Sequence, residues 1–209
     1  MKKVLIRGLF VIVFAMILLV GCEKEKTSSN GTVEKVDYKK AIVIYFSRAG
    51  ENYSVGVVDV GNTAIMAGYI KDYLGADSFE IIPKVAYPEK YDEAKEIANK
   101  ELDENARPEI KNAIKNLDDY DTVFLGYPIW CGDMPMIIYT FIEKYNLSGK
   151  TVIPSNTHEG SGNAGTYATL KNKLKSANVN VNGLALTGKV ARTTSGKEQT
   201  IKWLESLGY

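Results

Sequence analysis

The chain has little of several things, and each shortage removes a class of explanation. Only two cysteines occur in 209 residues, Cys22 and Cys131, so no disulfide framework can staple the fold. The one histidine, His158, has no cysteine, histidine or acid cluster at ligand spacing around it, which argues against a metal site. No Gly-x-x-x-x-Gly-Lys-Ser/Thr phosphate loop occurs, and no dedicated dinucleotide-binding domain is expected. Charge of one sign is missing too. The 26 Lys and Arg residues nearly cancel 25 Asp and Glu, and the basic residues are spread among acids, so nothing suggests nucleic acid. No internal repeat or low-complexity tract interrupts the chain.

A long apolar run exists in one place only. Lys2, Lys3 and Arg7 form a positive start, Leu9 to Val20 is a run of 12 apolar residues, and Leu19-Val20-Gly21-Cys22 closes the segment. This pattern reads as a secretory signal, too short for a secure membrane span. Its last four residues resemble the lipobox of bacterial lipoproteins. The expectation is removal of residues 1–21, lipidation of Cys22 and anchoring of an exported protein at the outer face of the bacterial cell membrane. Two or more acyl chains on one cysteine give stable anchoring. Loss of Lys2, Lys3 and Arg7 takes the formal charge from +1 to −2. Glu23 to Asp37 is polar and aperiodic and reads as a tether, about 15 residues reaching roughly 20 Å. Residues 22–39 are thus lipidated cysteine and tether, and 40–209 a single domain.

From Ala41 onward, strand and helix patterns alternate. Ala41 to Phe46 is a near-continuous apolar run, as in a parallel strand buried on both faces. The spacing predicts a helix over Thr63–Leu74, a strand over Ser78–Ile82, and an amphipathic helix over Tyr91–Ala106 with Ala94, Ile97, Ala98 and Leu102 on one stripe. Further strands are expected at Thr122–Gly126, Lys150–Pro154 and Val179–Leu186. Helices are expected at Met134–Tyr145, Ala164–Ser176 and Ser195–Leu207. Five strands alternating with helices imply an α/β doubly wound sheet with helices on both faces.

In such a sheet, the loops after the strands gather at one edge, where ligands bind. Three of them carry chemistry: Ser47 to Thr63, Tyr127 to Pro135 and Asn156 to Asn163. In the first, Ser47 and Arg48 end a strand, and Gly61, Asn62 and Thr63 begin a helix. Unpaired N–H groups and hydroxyls there suit a phosphate. In the second, Pro128, Ile129, Trp130 and Cys131 present an indole at a strand end, placed to stack on a planar ligand. Cys131 reads as a small hydrophobe rather than a nucleophile. In the third, Thr157, His158, Glu159, Gly160, Ser161 and Gly162 form a small-residue turn suited to backbone hydrogen bonds with a ring's polar edge. Beside a redox-active ring, His158 charging near pH 6–7 would modulate its potential. A phosphate cradle, an aromatic and a close-fitting turn describe a site for a phosphorylated flat molecule and point to flavin mononucleotide (FMN).

The runs Tyr45-Phe46-Ser47-Arg48-Ala49-Gly50, Gly61-Asn62-Thr63, Gly126-Tyr127-Pro128-Ile129-Trp130 and Thr157-His158-Glu159-Gly160-Ser161-Gly162 resemble the flavodoxin-like family. The resemblance covers about Lys40 to Gly208 and is similar to the bacterial branch related to FMN-dependent quinone reductases. It implies a five-stranded flavodoxin-like sheet of order 2-1-3-4-5 and noncovalent FMN, its phosphate on Ser47, Asn62 and Thr63 and its isoalloxazine held by 128–130 and 157–162. It implies electron transfer to a redox partner protein or a small acceptor, with an FMN-dependent NAD(P)H:quinone, nitro or azo reductase as the alternative. A lipoprotein that binds another ligand or partner without redox chemistry is the third reading. Three features depart from the family pattern, the first being charge: electron-carrying flavodoxins are usually strongly acidic, and this domain, at −2, is not. Glu51 to Val60 separates the halves of the phosphate loop, leaving 50–52 or 61–63 as the main cradle, the second favoured because a helix starts there. Cys131 stands where relatives often carry a second aromatic.

Overall fold

The computed structural model describes residues 40–209; the expected signal segment, lipidated Cys22 and tether lie outside the described residues. The elements in chain order are β1 (Ala41–Tyr45), β2 (Gly50–Asn52), β3 (Gly56–Val58), α1 (Asn62–Leu74), β4 (Asp77–Glu80), α2 (Tyr91–Asp103), β5 (Thr122–Pro128), α3 (Met136–Lys144), β6 (Thr151–His158), α4 (Thr166–Lys173), β7 (Asn178–Val179), β8 (Leu184–Thr187), α5 (Gly188–Ala191) and α6 (Thr194–Ser206). The main sheet runs β4-β1-β5-β6-β7, every pair parallel, with β8 also on the outer edge of β6. Along the chain this is the expected order 2-1-3-4-5, with β7 and β8 together in the fifth place.

Alternation along the buried strands divides the core. Ile42, Ile44, Val123, Leu125, Tyr127 and Val152 face one side, where Ile137, Ile138 and Phe141 of α3 and Leu170 of α4 cover them. Ala41, Val43, Phe124 and Ile153 face the other side, against Ala67, Ile70 and Leu74 of α1 and Trp203 and Leu204 of α6. Both faces being covered explains why these strands read as continuous apolar runs. Helix α1 stops at Gly75, which takes φ +61° and sends its N–H back to the Lys71 carbonyl. Helix α2 departs from its expected stripe. Ala94 and Ala98 are buried but Ile97 is 38% exposed, because α2 touches the body on a narrow small-residue face.

The expected single strand over Val179–Leu186 is broken, and Pro154 is the reason. Asn178 and Asn180 donate to the carbonyls of Lys150 and Val152, so this alternate set of β6 residues faces the outer edge. Pro154 is the next of that set and has no N–H for the ladder. Three steps along β6, from Val152 to Ser155, correspond to five along the edge, from Val179 to Leu184. The surplus chain bulges outward, Val181 is exposed rather than inward, and the Asn182 carbonyl accepts from Trp203 Nε1 at 2.8 Å. The chain re-enters the sheet at Gly183, where a Cβ would stand 2.4 Å from the Pro154 carbonyl oxygen and 2.5 Å from the Tyr167 ring.

Gly183→Ala is therefore expected to destabilise the domain by about 1–3 kcal/mol, the usual cost of forcing an added methyl into packed surroundings. Urea unfolding of the variant against wild type checks this; an unchanged midpoint would mean that the bulge has room to shift.

Candidate functional site

The order of strands reverses at β1, with β4 on one side and β5 on the other, and the crevice above that point is where doubly wound sheets bind ligands. A cavity of about 240 Å³ lies there, over the carboxyl ends of β1, β5 and β6. The first loop contributes Ser47, Arg48, Asn62 and Thr63 to its lining; the second, Pro128, Ile129, Trp130 and Cys131; the third, Thr157, His158, Glu159 and Ser161. Strand register puts the loops side by side: Pro128 pairs with Thr157 across β5 and β6, and the Ile129 N–H donates to the Thr157 carbonyl at 2.8 Å. Gly61, Gly160 and Gly162 do not line the cavity.

At one end stands the start of α1, at Asn62 as the favoured second cradle required. Gly61 is its N-cap with no side-chain cap, and no acid occupies the first turn. The cap comes from a distance instead, the Ser47 hydroxyl accepting from the Ala64 N–H at 3.1 Å. That leaves the hydroxyl's own hydrogen, and the first-turn N–H groups of Asn62 and Thr63, which have no intrahelical acceptor. Gly61 makes the arrangement possible, since a Cβ there would stand 2.2 Å from Ser47 Oγ and 2.5 Å from the Arg48 carbonyl oxygen. Thr63, buried, shares a 2.7 Å hydrogen bond with Thr157, a direct tie between the first and third loops that retains one donatable hydrogen. These donors and the helix dipole fit a phosphate. Arg48 contributes charge rather than free donors, because its guanidinium already donates to the carbonyls of Glu51, Pro88 and Glu89.

In the second loop, Trp130 and Asp133 exchange backbone hydrogen bonds, both at 2.9 Å, around Cys131 (φ +52°) and Gly132 (φ +80°). Two successive positive φ angles define a tight turn of the hairpin type, which favours glycine at the second position. The Asp133 carboxylate fixes its exit by accepting from the Met134 N–H and the Tyr139 hydroxyl. Helix α3 then starts at Met136, so Pro135 is its N-cap rather than its first residue. The Trp130 indole is edge-to-face with Phe46 (5.3 Å, 82°) and Tyr87 (4.9 Å, 87°), contacts that hold it at the cavity wall. Desolvation beside the cavity moves the Cys131 thiol pKa above its ordinary value, with the Lys95 charge pulling the other way, which favours the protonated thiol at neutral pH even though the residue is exposed.

The third segment begins as strand: β6 continues to His158. Asn156, fully buried, donates to the Gly162 carbonyl at 3.0 Å and accepts from the Tyr167 hydroxyl, and this pair shapes the turn from below. The Gly160 N–H donates to His158 Nδ1 at 3.0 Å, so it is engaged by the imidazole and not offered to a ligand, contrary to the sequence expectation. Partial burial lowers the His158 pKa, which keeps the ring neutral at pH 7. Glu159 Oε1 accepts from the Gly188 N–H at 3.0 Å, while burial, the larger effect, raises its pKa.

Gly160-Ser161-Gly162-Asn163-Ala164-Gly165 spells Gly-x-Gly-x-x-Gly between a strand and a helix, a pattern counted as absent where no dinucleotide-binding domain is expected. Its glycines serve a different purpose here. All three have positive φ, and a Cβ on any of them would meet nothing within 4 Å. A dinucleotide fingerprint instead needs glycine for close approach and close packing.

A further wall went unread in the sequence. Asn52 and Tyr53 come from the β2–β3 hairpin formed by the 51–60 segment; Tyr91, Ala94, Lys95 and Ala98 come from one face of α2; Gly132 completes the turn. The signal was available, since positions 91, 94, 95 and 98 repeat at helical spacing, but their small residues read as ordinary core.

The chain belongs to the flavodoxin family, whose profile matches residues 40–207. Among solved structures, it is similar to an assigned flavoprotein of Bacteroides eggerthii DSM 20697 at 30% identity, TM-score 0.65, over 82% of this chain and 99% of that one. An assigned flavoprotein of Bacteroides uniformis ATCC 8492 follows at 25% identity, TM-score 0.63, over 80% and 98%. A flavoprotein of Lactobacillus acidophilus NCFM, solved in complex with FMN, shares the fold at 21% identity and TM-score 0.56, over 73% and 95%. No protein of curated function matches the sequence.

The lowered His158 pKa has a stability consequence with a definite sign. The unfolded chain binds the proton more readily, so stability is whole above the ordinary histidine value of 6.5 and falls as pH drops through it, levelling off below the folded value. The difference in unfolding free energy between wild type and His158→Gln, followed by urea titration from pH 7.5 to about 5, should narrow as pH falls. A constant difference would mean the imidazole is as easily charged in the fold as outside it.

Proposed function

We propose that this protein is an FMN-dependent electron carrier, exported and held by a lipidated Cys22 at the outer face of a bacterial membrane. The observation that carries the reading is the first turn of α1, where uncommitted N–H groups and the Ser47 hydroxyl converge beside a glycine that has no room for a Cβ. FMN is the cofactor. Its phosphate belongs at Ser47, Asn62 and Thr63, and its ring system between the Pro128–Trp130 segment and the Thr157–Ser161 segment. FMN lacks the second phosphate and adenosine of FAD. The backbone N–H and hydroxyl donors left open at the carboxyl ends of the strands converge on one cradle at the head of α1, the Arg48 guanidinium already donating to carbonyls. When bound, the flavin supplies the electron-transfer chemistry, and the chain's residues bind it, orient it and set its surroundings. His158 and Glu159 are the titratable groups of the third loop that face it.

The electron partner is a redox protein or a small acceptor. The near-neutral charge balance does not favour long-range steering toward a strongly basic protein. A reductase acting on a small acceptor is the second reading, favoured by the extra aromatic wall of Tyr53 and Tyr91, neither of which is among the residues assigned to FMN.

Two experiments test the proposal. Titration of the purified protein should show FMN bound far more tightly than riboflavin. Ser47→Ala should weaken FMN by roughly tenfold or more, as for lost hydrogen bonds to a charged group, while riboflavin binding stays the same. Equal losses for both flavins would mean that Ser47 acts only through the fold of α1, and a colourless protein that takes up neither would sink the reading. Separately, Cys22→Ser in the expressing cell should move the protein from the membrane to the soluble fraction; retention in the membrane would point to an uncleaved N-terminal segment.

A further inference from the structure

We propose that Arg192 is a positioning residue for the phosphate cradle, holding the residues on either side of Gly61 from outside the cavity. This role presupposes the FMN reading and adds to it the device that keeps the cradle's donors open. Arg192 does not line the cavity and stands 130 positions along the chain from Asn62. Its Nη1 donates to the Val60 carbonyl at 2.8 Å and to Asn62 Oδ1 at 3.2 Å. Gly61, the N-cap of α1, lies between those two acceptors in sequence. The clip therefore fixes the peptide units that lead into the first turn of the helix.

The short helix α5 brings Arg192 to this place. Thr187 pairs with His158 across β8 and β6, so α5 starts beside the third loop. Its first residue, Gly188, donates its N–H to Glu159 Oε1 at 3.0 Å. A Cβ at Gly188 would stand 2.3 Å from Asn62 Nδ2 and 2.4 Å from Glu159 Oε1, so glycine is what lets α5 approach both loops this closely. Ala191 packs with Met66 of α1 and Leu186 of β8 in a small core of their own, and Arg192 follows directly. Beyond it, the Val190 carbonyl accepts from the Thr193 N–H and hydroxyl, which closes the turn.

An asparagine in the first turn of a helix endangers a phosphate site. Its amide oxygen can accept from its own or a neighbouring backbone N–H, and those are the donors a phosphate needs. Arginine has no acceptor, so the Asn62 atom that meets it is the oxygen. With Oδ1 turned to Arg192, the N–H groups of Asn62 and Thr63 stay open, and that of Ala64 goes to Ser47. The charge of Arg192 counts for less than these bonds, because the side chain is exposed and screened by salt.

The test titrates purified protein with FMN and with riboflavin, read by quenching of flavin fluorescence, and follows urea unfolding of the flavin-free form. Arg192→Ala should weaken FMN about fivefold, the scale of a partly exposed charge-assisted bond, and leave riboflavin within about twofold. In an Asn62→Ala background the same substitution should weaken FMN by less than about twofold, since no amide remains to be misdirected. The urea midpoint of Arg192→Ala should stay near that of wild type. Unchanged FMN affinity overturns the role, and so does an equal loss for riboflavin with a lower urea midpoint, which would make the clip purely structural. An undiminished loss in the Asn62→Ala background overturns it too, because Arg192 would then act by its charge. Wild type that takes up no FMN overturns the functional reading instead, a result seen before any variant is made.

Discussion

The parallel ladder of β1, β5 and β6 is the constraint on which everything above it depends. Tyr45 pairs with Gly126, and Gly126 with Ser155, so three strands of differing length end in one fixed register. Gly126 sits where the chains crowd, a Cβ there lying 3.1 Å from Tyr45 Cβ and 3.4 Å from Thr63 Cγ2. A one-residue slip would turn each strand's two core faces over and separate Pro128 from Thr157. With the register held, Thr63 at the head of α1 meets Thr157 at the end of β6, and a single buried hydrogen bond joins the two loops. The position of both loops is therefore tied to the register of the sheet beneath them.

Charge around the cavity is sparse and graded. Arg48 keeps its charge while its guanidinium donates to carbonyls, and burial raises the Glu159 pKa and lowers that of His158. The phosphate end thus combines the fixed positive charge of Arg48 with the N-terminal field of α1. A helix dipole and oriented N–H groups need no side chain to move when an anion arrives, which makes them well suited to a cofactor held through redox change. At the other end the surroundings are aromatic, with Phe46, Tyr87 and Trp130 edge-to-face in one cluster.

The insertion between the halves of the phosphate loop has a structural meaning that its composition hides. Residues 50–58 form a small hairpin that folds back on Glu89 and brings Tyr53 to Tyr91, residues 38 positions apart in sequence. It leaves the phosphate cradle intact because the chain returns to Gly61 in time to start α1. The hairpin extends the cavity wall while the cradle at the head of α1 keeps its place.

The sequence by itself determined the strand-helix alternation and the three loops that line the cavity, because buried parallel strands must be apolar on both faces and loop glycines and hydroxyls carry local chemistry. It also located the start of α1 to within a residue. The order of the strands came only with the family resemblance. Tertiary structure decided the rest. Whether Val179–Leu186 was one strand depended on Pro154 in a neighbouring strand, and no periodicity within the segment could register that. Which donors remained free depended on contacts that spacing does not record: the Gly160 N–H goes to the His158 ring two residues back, Arg48 to the carbonyls of 88 and 89, and Thr63 and Thr157 share one hydrogen bond that leaves a single donatable hydrogen. The aromatic wall of Tyr53 and Tyr91 was invisible for the same reason. A pattern along the chain records what each residue prefers, and only the fold sets which residues meet.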